Sequence, residues 1–111
     1  DCTVDANLYA IGWYCGNAGN TTHPGGQKTA NAWWLYDMSG NVYEWVWDWY
    51  QVAYESDVGI NPVGPTSGSE RVRRGGAYYS EAHYGRSALR RDDSPGTRYY
   101  GVGFRLLRSL P

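Results

Sequence analysis

The 111-residue chain is poor in the residues that build helical bundles, with six Leu, two Ile and one Met. Without aliphatic stripes at helical spacing, a bundle is excluded. Two cysteines, Cys2 and Cys15, are too few for a metal knuckle or a disulfide scaffold, although they suffice for one bridge closing a short loop. No apolar run reaches the ~18 residues that a membrane span needs. Basic residues are nearly missing from the first 70 positions, where Lys28 stands alone against eight acids. Residues 71–111 reverse this, with nine Arg against three acids, so the net charge is only −1. Nucleic acid is a poor partner for that balance. The separation instead predicts two parts that fold against each other, guanidinium groups meeting carboxylates and carbonyls. Lacking an initiator Met and a leader-like run, the sequence reads as a mature product or a fragment.

What is abundant is aromatic and small: six Trp, eleven Tyr and fifteen Gly. Aromatics this dense seek burial, which argues against a disordered chain. Residues 1–32 are turn-rich, and no long regular element is expected there. From Tyr43 the aromatics alternate as Tyr43, Trp45, Trp47 and Trp49, which predicts a strand with an aromatic inner face. Residues 51–69 read as a loop broken by Pro62, Gly64, Pro65 and Gly68. Arg71 to Tyr79 reads as a strand interrupted at Gly75-Gly76. Residues 80–101 are mixed and polar, and Val102 to Leu107 alternates as a closing strand. Asn20-Thr21-Thr22 is a glycosylation sequon, a triplet that is common by chance.

Three blocks carry a resemblance. They are Asn31 to Trp45 followed by Trp47-Asp48-Trp49-Tyr50; Gly68 to Gly76; and Arg86-Ser87-Ala88, Pro95 and Gly103-Phe104-Arg105. In this order they resemble the formylglycine-generating-enzyme (sulfatase-modifying factor) family. The resemblance implies an α+β, C-type-lectin-like fold with short antiparallel strands and much irregular structure. It also implies that residues 1–111 are the C-terminal portion of such a domain.

The resemblance places a structural calcium at Asp37, Gly40, Val42 and Glu44. Carboxylates and carbonyls around the Ser39-Gly40-Asn41 turn are the hard oxygens that calcium takes. The competing reading is that Asp37 caps the turn and Glu44 pairs with an arginine. The family's enzymes bind copper through two cysteines that follow a Gly-Gly-Ser-Tyr-like strand. Here Ser80 falls at the first place and Gly85 near the second, and neither can hold soft Cu(I). Copper and formylglycine-generating activity are therefore not expected. Nor is iron, because the related sulfoxide synthases need a histidine-rich site and only His23 and His83 are present.

The family's ligand-facing surface maps to residues 78–101. Around the frame of Arg86, Arg90, Pro95, Arg98 and Gly103-Phe104-Arg105 sit Tyr79, Ser80, His83, Tyr84, Asp92, Asp93, Tyr99 and Tyr100. Tyr, Ser, Asp, Gly and His all arise from an Asn codon by changing its adenines. That alphabet resembles the variable proteins of diversity-generating retroelements. Antibody paratopes use much the same one, because Tyr offers large area with two torsions to fix. Tyr78 is expected in the core, where the family usually has Trp. Trp34 stands where the family usually has Gly and suggests an interface.

The leading expectation is a non-catalytic module binding a protein or glycan, in an extracellular or cell-surface setting. The alternatives are an assembly subunit, self-associating or completed by a second chain, and a family enzyme completed by an N-terminal half.

Overall fold

The structure is a computed structural model that describes residues 1–53 and 62–108. The chain opens with a six-residue helix, α1 (Ala6–Ile11), inside the turn-rich segment where no long regular element was expected. Asp5 supplies the cap, its carboxylate accepting from the backbone N–H groups of Asn7 and Leu8 at 3.0 and 2.9 Å. So short a helix is not stable alone. It is held by Leu8, buried on its inner side, and by fully buried Tyr14, whose hydroxyl accepts from Asp5 N at 2.6 Å. A disulfide joins Cys2 to Cys15 across this unit. The N–H of Cys15 then donates to the carbonyl of Ser80 at 3.0 Å, tying the N-terminal unit to the second half.

Two sheets follow. β1 (Gly12–Trp13) pairs in parallel with β2 (Ser39–Gly40). β3 (Tyr43–Trp49), β4 (Arg71–Arg74), β5 (Arg91–Asp93) and β6 (Val102–Gly103) form a four-stranded sheet in the order β5-β4-β3-β6. β3–β4 and β4–β5 are antiparallel, while β3–β6 is parallel. β5 was not expected, because its sequence, Arg-Asp-Asp, has none of the apolar alternation of a buried strand.

β3 is the strand that the alternating aromatics predict, but its inner face is incomplete. Tyr43 is buried, whereas Trp47 is 84% exposed. The register explains the difference. Trp45 pairs with Arg73 and Trp49 with Arg71, so β3 takes two extra residues where β4 takes none. A bulge of this kind breaks the side-chain alternation and turns a residue outward. β4 stops at Arg74, before Gly75-Gly76, both with left-handed φ (93° and 76°), and the strand expected to run on to Tyr79 does not resume, because the chain turns there instead. A side chain at Gly76 would also press on the backbone of Tyr84 at 3.2 Å. The closing strand is only two residues long, and Phe104, Leu106 and Leu107 are exposed, not paired.

The core is thin: Leu8, Tyr14, Ala18, Tyr43, Val72, Ala77 and Tyr78 are its buried apolar side chains among the described residues. The arginines of the second half do meet the first. Arg105 clasps Glu44, Arg71 donates to the carbonyl of Trp47 and stacks on Trp49, and Arg90 lies over Tyr50. Rings and carbonyls take more of this positive charge than carboxylates do.

Candidate functional site

The turn between β2 and β3 is built from consecutive left-handed residues, Gly40 (φ 82°) and Asn41 (φ 64°). Asn41 locks it to the preceding loop, accepting from His23 N at 2.9 Å and donating to His23 O at 3.0 Å. Asp37 and Glu44 lie on either side. One Asp37 oxygen, Oδ2, accepts from Gly26 N at 2.8 Å, and the other, Oδ1, is buried with no hydrogen-bond partner. Both Glu44 oxygens are held by Arg105, at 2.9 Å from Nε and 2.7 Å from Nη2. The same Nη2 reaches the carbonyl of Asp37 at 3.2 Å, so one guanidinium bridges both ends of the stretch. Glu44 in turn raises the pKa of Arg105 through that hydrogen bond, despite the opposing effect of burial. Glu44 is thus engaged by an arginine, as the competing reading had it, while Asp37 caps a glycine of a different loop. The orphaned Oδ1 and the all-oxygen donor set fit a hard cation. The described residues contain no group of three or more His, Cys, Asp or Glu side chains arranged for a metal.

The residues expected to form a binding surface separate into two patches and one buried position. Tyr79, Tyr99 and Tyr100 come together with Tyr78 in an edge-packed cluster, with ring centroids 5.0 to 6.4 Å apart. Tyr100 is 76% exposed, Tyr79 is partly open, and Tyr99 is half-buried. Arg73 joins the cluster at Tyr99. Its guanidinium lies 4.6 Å from the Tyr43 ring, hydrogen-bonds the Tyr99 hydroxyl and pairs with Asp93 at 3.5 Å. Tyr43 was expected only as part of the aromatic inner face of β3, and Arg73 was not expected at the site; period two along β3 and β4 was the available signal. Burial pushes the Tyr79 phenol above its usual pKa, with Arg73 opposing the shift. Gly101 makes room for the Tyr79 ring, which a Cβ there would strike.

The second patch is His83 with Tyr84, their rings 4.1 Å apart, and Arg91, which donates to the Tyr84 hydroxyl at 2.8 Å. Beside it, Asp92 is half-buried and holds the Glu70 carboxyl above its ordinary pKa, through a shared hydrogen bond and like charge. Ser80 does not belong to either surface. It is buried, accepting from Ala77 N at 3.0 Å and donating toward the Tyr43 hydroxyl at 3.4 Å. The turn after Gly76 folds it inward, so the surface that the family resemblance maps to residues 78–101 does not include it. Asn20 lies exposed in a left-handed turn (φ 59°).

A model of the sulfatase-modifying factor enzyme 1-like domain matches residues 3–110. The chain belongs to this family. Formylglycine-generating enzyme from Mus musculus is 38% identical over 96 residues, which cover 78% of this chain and 26% of that protein. Among solved structures, Treponema denticola variable protein 1 superposes with a TM-score of 0.84 at 40% identity, covering 91% of this chain and 37% of that one. PvdO from Pseudomonas aeruginosa superposes at 0.77 with 27% identity, over 94% of this chain and 41% of that one. The chain therefore spans about a quarter of the mouse relative's length. The α+β, C-type-lectin-like class is that of this family and its structural neighbours.

Proposed function

We propose that this family member is a non-catalytic binding module whose tyrosine face displays side chains to a protein or glycan ligand. The observation that carries the reading is the cluster of Tyr79, Tyr99 and Tyr100, backed by Arg73 at Tyr99 and open to solvent at Tyr100. Rigid aromatic rings with a buried support are what a recognition surface needs. The likeness to a variable protein, together with the Tyr, Ser, Asp, Gly and His alphabet, supports a diversified surface. Non-catalysis rests on donor chemistry. Where the family's copper enzymes have thiolates, the hydroxyl of Ser80 is committed to two hydrogen bonds and Gly85 has no side chain. An extracellular or cell-surface setting is supported by the disulfide and by the exposed sequon at Asn20.

The test separates display from core. Substituting His83, Tyr84 and Tyr100 together by Ala should change stability by no more than about 0.5 kcal/mol per site, while Tyr43→Ala should cost about 3–5 kcal/mol. A comparable loss in the triple variant would show that the face is packing, not display. Stoichiometric tight binding of Cu(I) or iron would overturn the non-catalytic reading.

Calcium belongs to the same proposal as a structural ion, held by Asp37 Oδ1, the Gly40 and Val42 carbonyls and Glu44. An ion bound only by the folded state at 100 times its Kd adds ~2.7 kcal/mol. Melting in calcium and in chelator should therefore differ, and identical curves would remove the ion.

A second reading, assembly, is favoured by one place. Asn31 Oδ1 accepts from the N–H groups of Trp33 and Leu35, closing a turn in which Trp34 is left-handed (φ 62°) and 81% exposed. A bulky residue in that conformation is strained. An exposed Trp pair suits a protein contact, and a stable monomer in solution at high concentration would speak against it.

A further inference from the structure

The bulge in β3 creates a second site that the tyrosine face does not use. Trp47, Asp48, Trp49 and Arg71, with Val63 and Pro65 as an apolar wall, line an open cleft of about 260 Å³. The guanidinium of Arg71 lies 3.6 Å from the Trp49 ring centroid and 4.8 Å from that of Trp47. It also donates to the Trp47 carbonyl, which fixes the bulged backbone. Among the described residues that is its only hydrogen bond, so further N–H groups remain for a ligand. Asp48 is exposed and makes no hydrogen bond or ion pair among the described residues. The Trp47 indole is almost wholly exposed.

We propose that this cleft binds a single neutral sugar ring. An exposed indole face, a free carboxylate and a free guanidinium edge define the class. A pyranose has an apolar C–H face that can lie on Trp47, and a rim of hydroxyls that donate to Asp48 and accept from Arg71. An anionic ligand would meet the Asp48 charge and a cationic one the Arg71 charge, whereas a neutral polyol satisfies both. The volume lies below the ~300–1,000 Å³ of pockets for larger ligands, which limits the occupant to about one ring. So few contacts imply millimolar affinity.

The experiment titrates the full chain with methyl β-D-glucopyranoside, methyl β-D-galactopyranoside, methyl α-D-mannopyranoside and N-acetylglucosamine. The readout is the indole N–H resonances in a nitrogen-15 correlation spectrum. At least one sugar should shift the Trp47 signal saturably. Trp47→Ala should then weaken binding at least ~10-fold, and Asp48→Asn should weaken it less. The exposure of both side chains keeps these variants folded, which their melting curves check. The Tyr84→Ala, Tyr100→Ala double variant should bind the sugar unchanged, so this site can fail or succeed apart from the tyrosine face. No saturable shift with any of the four sugars overturns the proposal. So does binding that survives Trp47→Ala, or saturation by adenosine when no sugar binds.

Discussion

Replacing both Cys2 and Cys15 by Ser removes one covalent link and leaves no stray thiol. The bridge spans a sequence separation of 13. Closing a loop of that length lowers the entropy of the unfolded chain by an amount worth ~3 kcal/mol at room temperature. A domain of this size has a total stability of about 5–15 kcal/mol, so the loss is a large share. The loss reaches the whole molecule only if the N-terminal unit unfolds together with the sheet. The hydrogen bond from Cys15 N to Ser80 O and the burial of Tyr14 provide that coupling. The expected outcome is one cooperative thermal transition lowered by ~12 °C, taking ~4 °C per kcal/mol for a chain of this length. Urea unfolding should show a steeper slope in the variant, because its denatured state is less compact. A shift of less than ~3 °C, or a separate early transition confined to α1, would refute the reasoning. The N-terminal unit would then be an appendage whose restraint does nothing for the sheet.

Other expectations follow from single groups. Tyr14→Phe deletes the hydroxyl that holds the Asp5 backbone and should cost ~1 kcal/mol in urea unfolding; a neutral result would mean that water replaces the bond. Glu70 has its carboxyl pKa raised above 4.5 by Asp92, so in the folded state it keeps a proton that the unfolded chain gives up earlier. The stability it contributes is present at low pH and is lost as the pH rises through the raised pKa. Glu70→Gln should therefore match the parent at acid pH and melt higher at neutral pH; a constant offset across pH would sink the pairing. Arg73→Ala removes the one charge that opposes the burial effect on Tyr79. In a spectrophotometric titration one tyrosine should then ionise at higher pH than in the parent, and an unchanged curve would place Arg73 elsewhere.

Much of the fold was legible because it rests on local chemistry. The alternation of Tyr43, Trp45, Trp47 and Trp49 announced β3, and Gly75-Gly76 announced a break where β4 ends. The blocks around Asn31–Tyr50 and Gly103–Arg105 announced the family. What escaped was set by tertiary geometry. No pattern in Arg91-Asp92-Asp93 reveals β5, since that strand is held by its neighbour and not by its own apolar face. Trp47 kept perfect alternation in sequence yet left the inner face because register, not period, decides where a bulge falls. Ser80 was misplaced for a related reason, since two left-handed glycines reset the direction of the chain. Arg73 was invisible as part of the site because its ring partners, Tyr43 and Tyr99, lie far from it along the chain. At Asp37 and Glu44 the sequence offered both a cation and an arginine partner, and only the approach of Arg105 shows how closely the two options share one space.

The parallel seam between β3 and β6 has a consequence for how the molecule is made. The clasp of Glu44 by Arg105 joins residues 61 positions apart, and the N–H of Tyr43 bonds Gly101. Such long-range closure is slow to reach, because a large loop must be ordered before any contact rewards it. On a ribosome, β3 must wait with one edge bare until the segment around Gly101–Arg105 has emerged. During that interval its tryptophans face the cell's proofreading machinery, not a partner strand. Mutations that slow the last step would accordingly register first as lower yield, before any change in the finished protein.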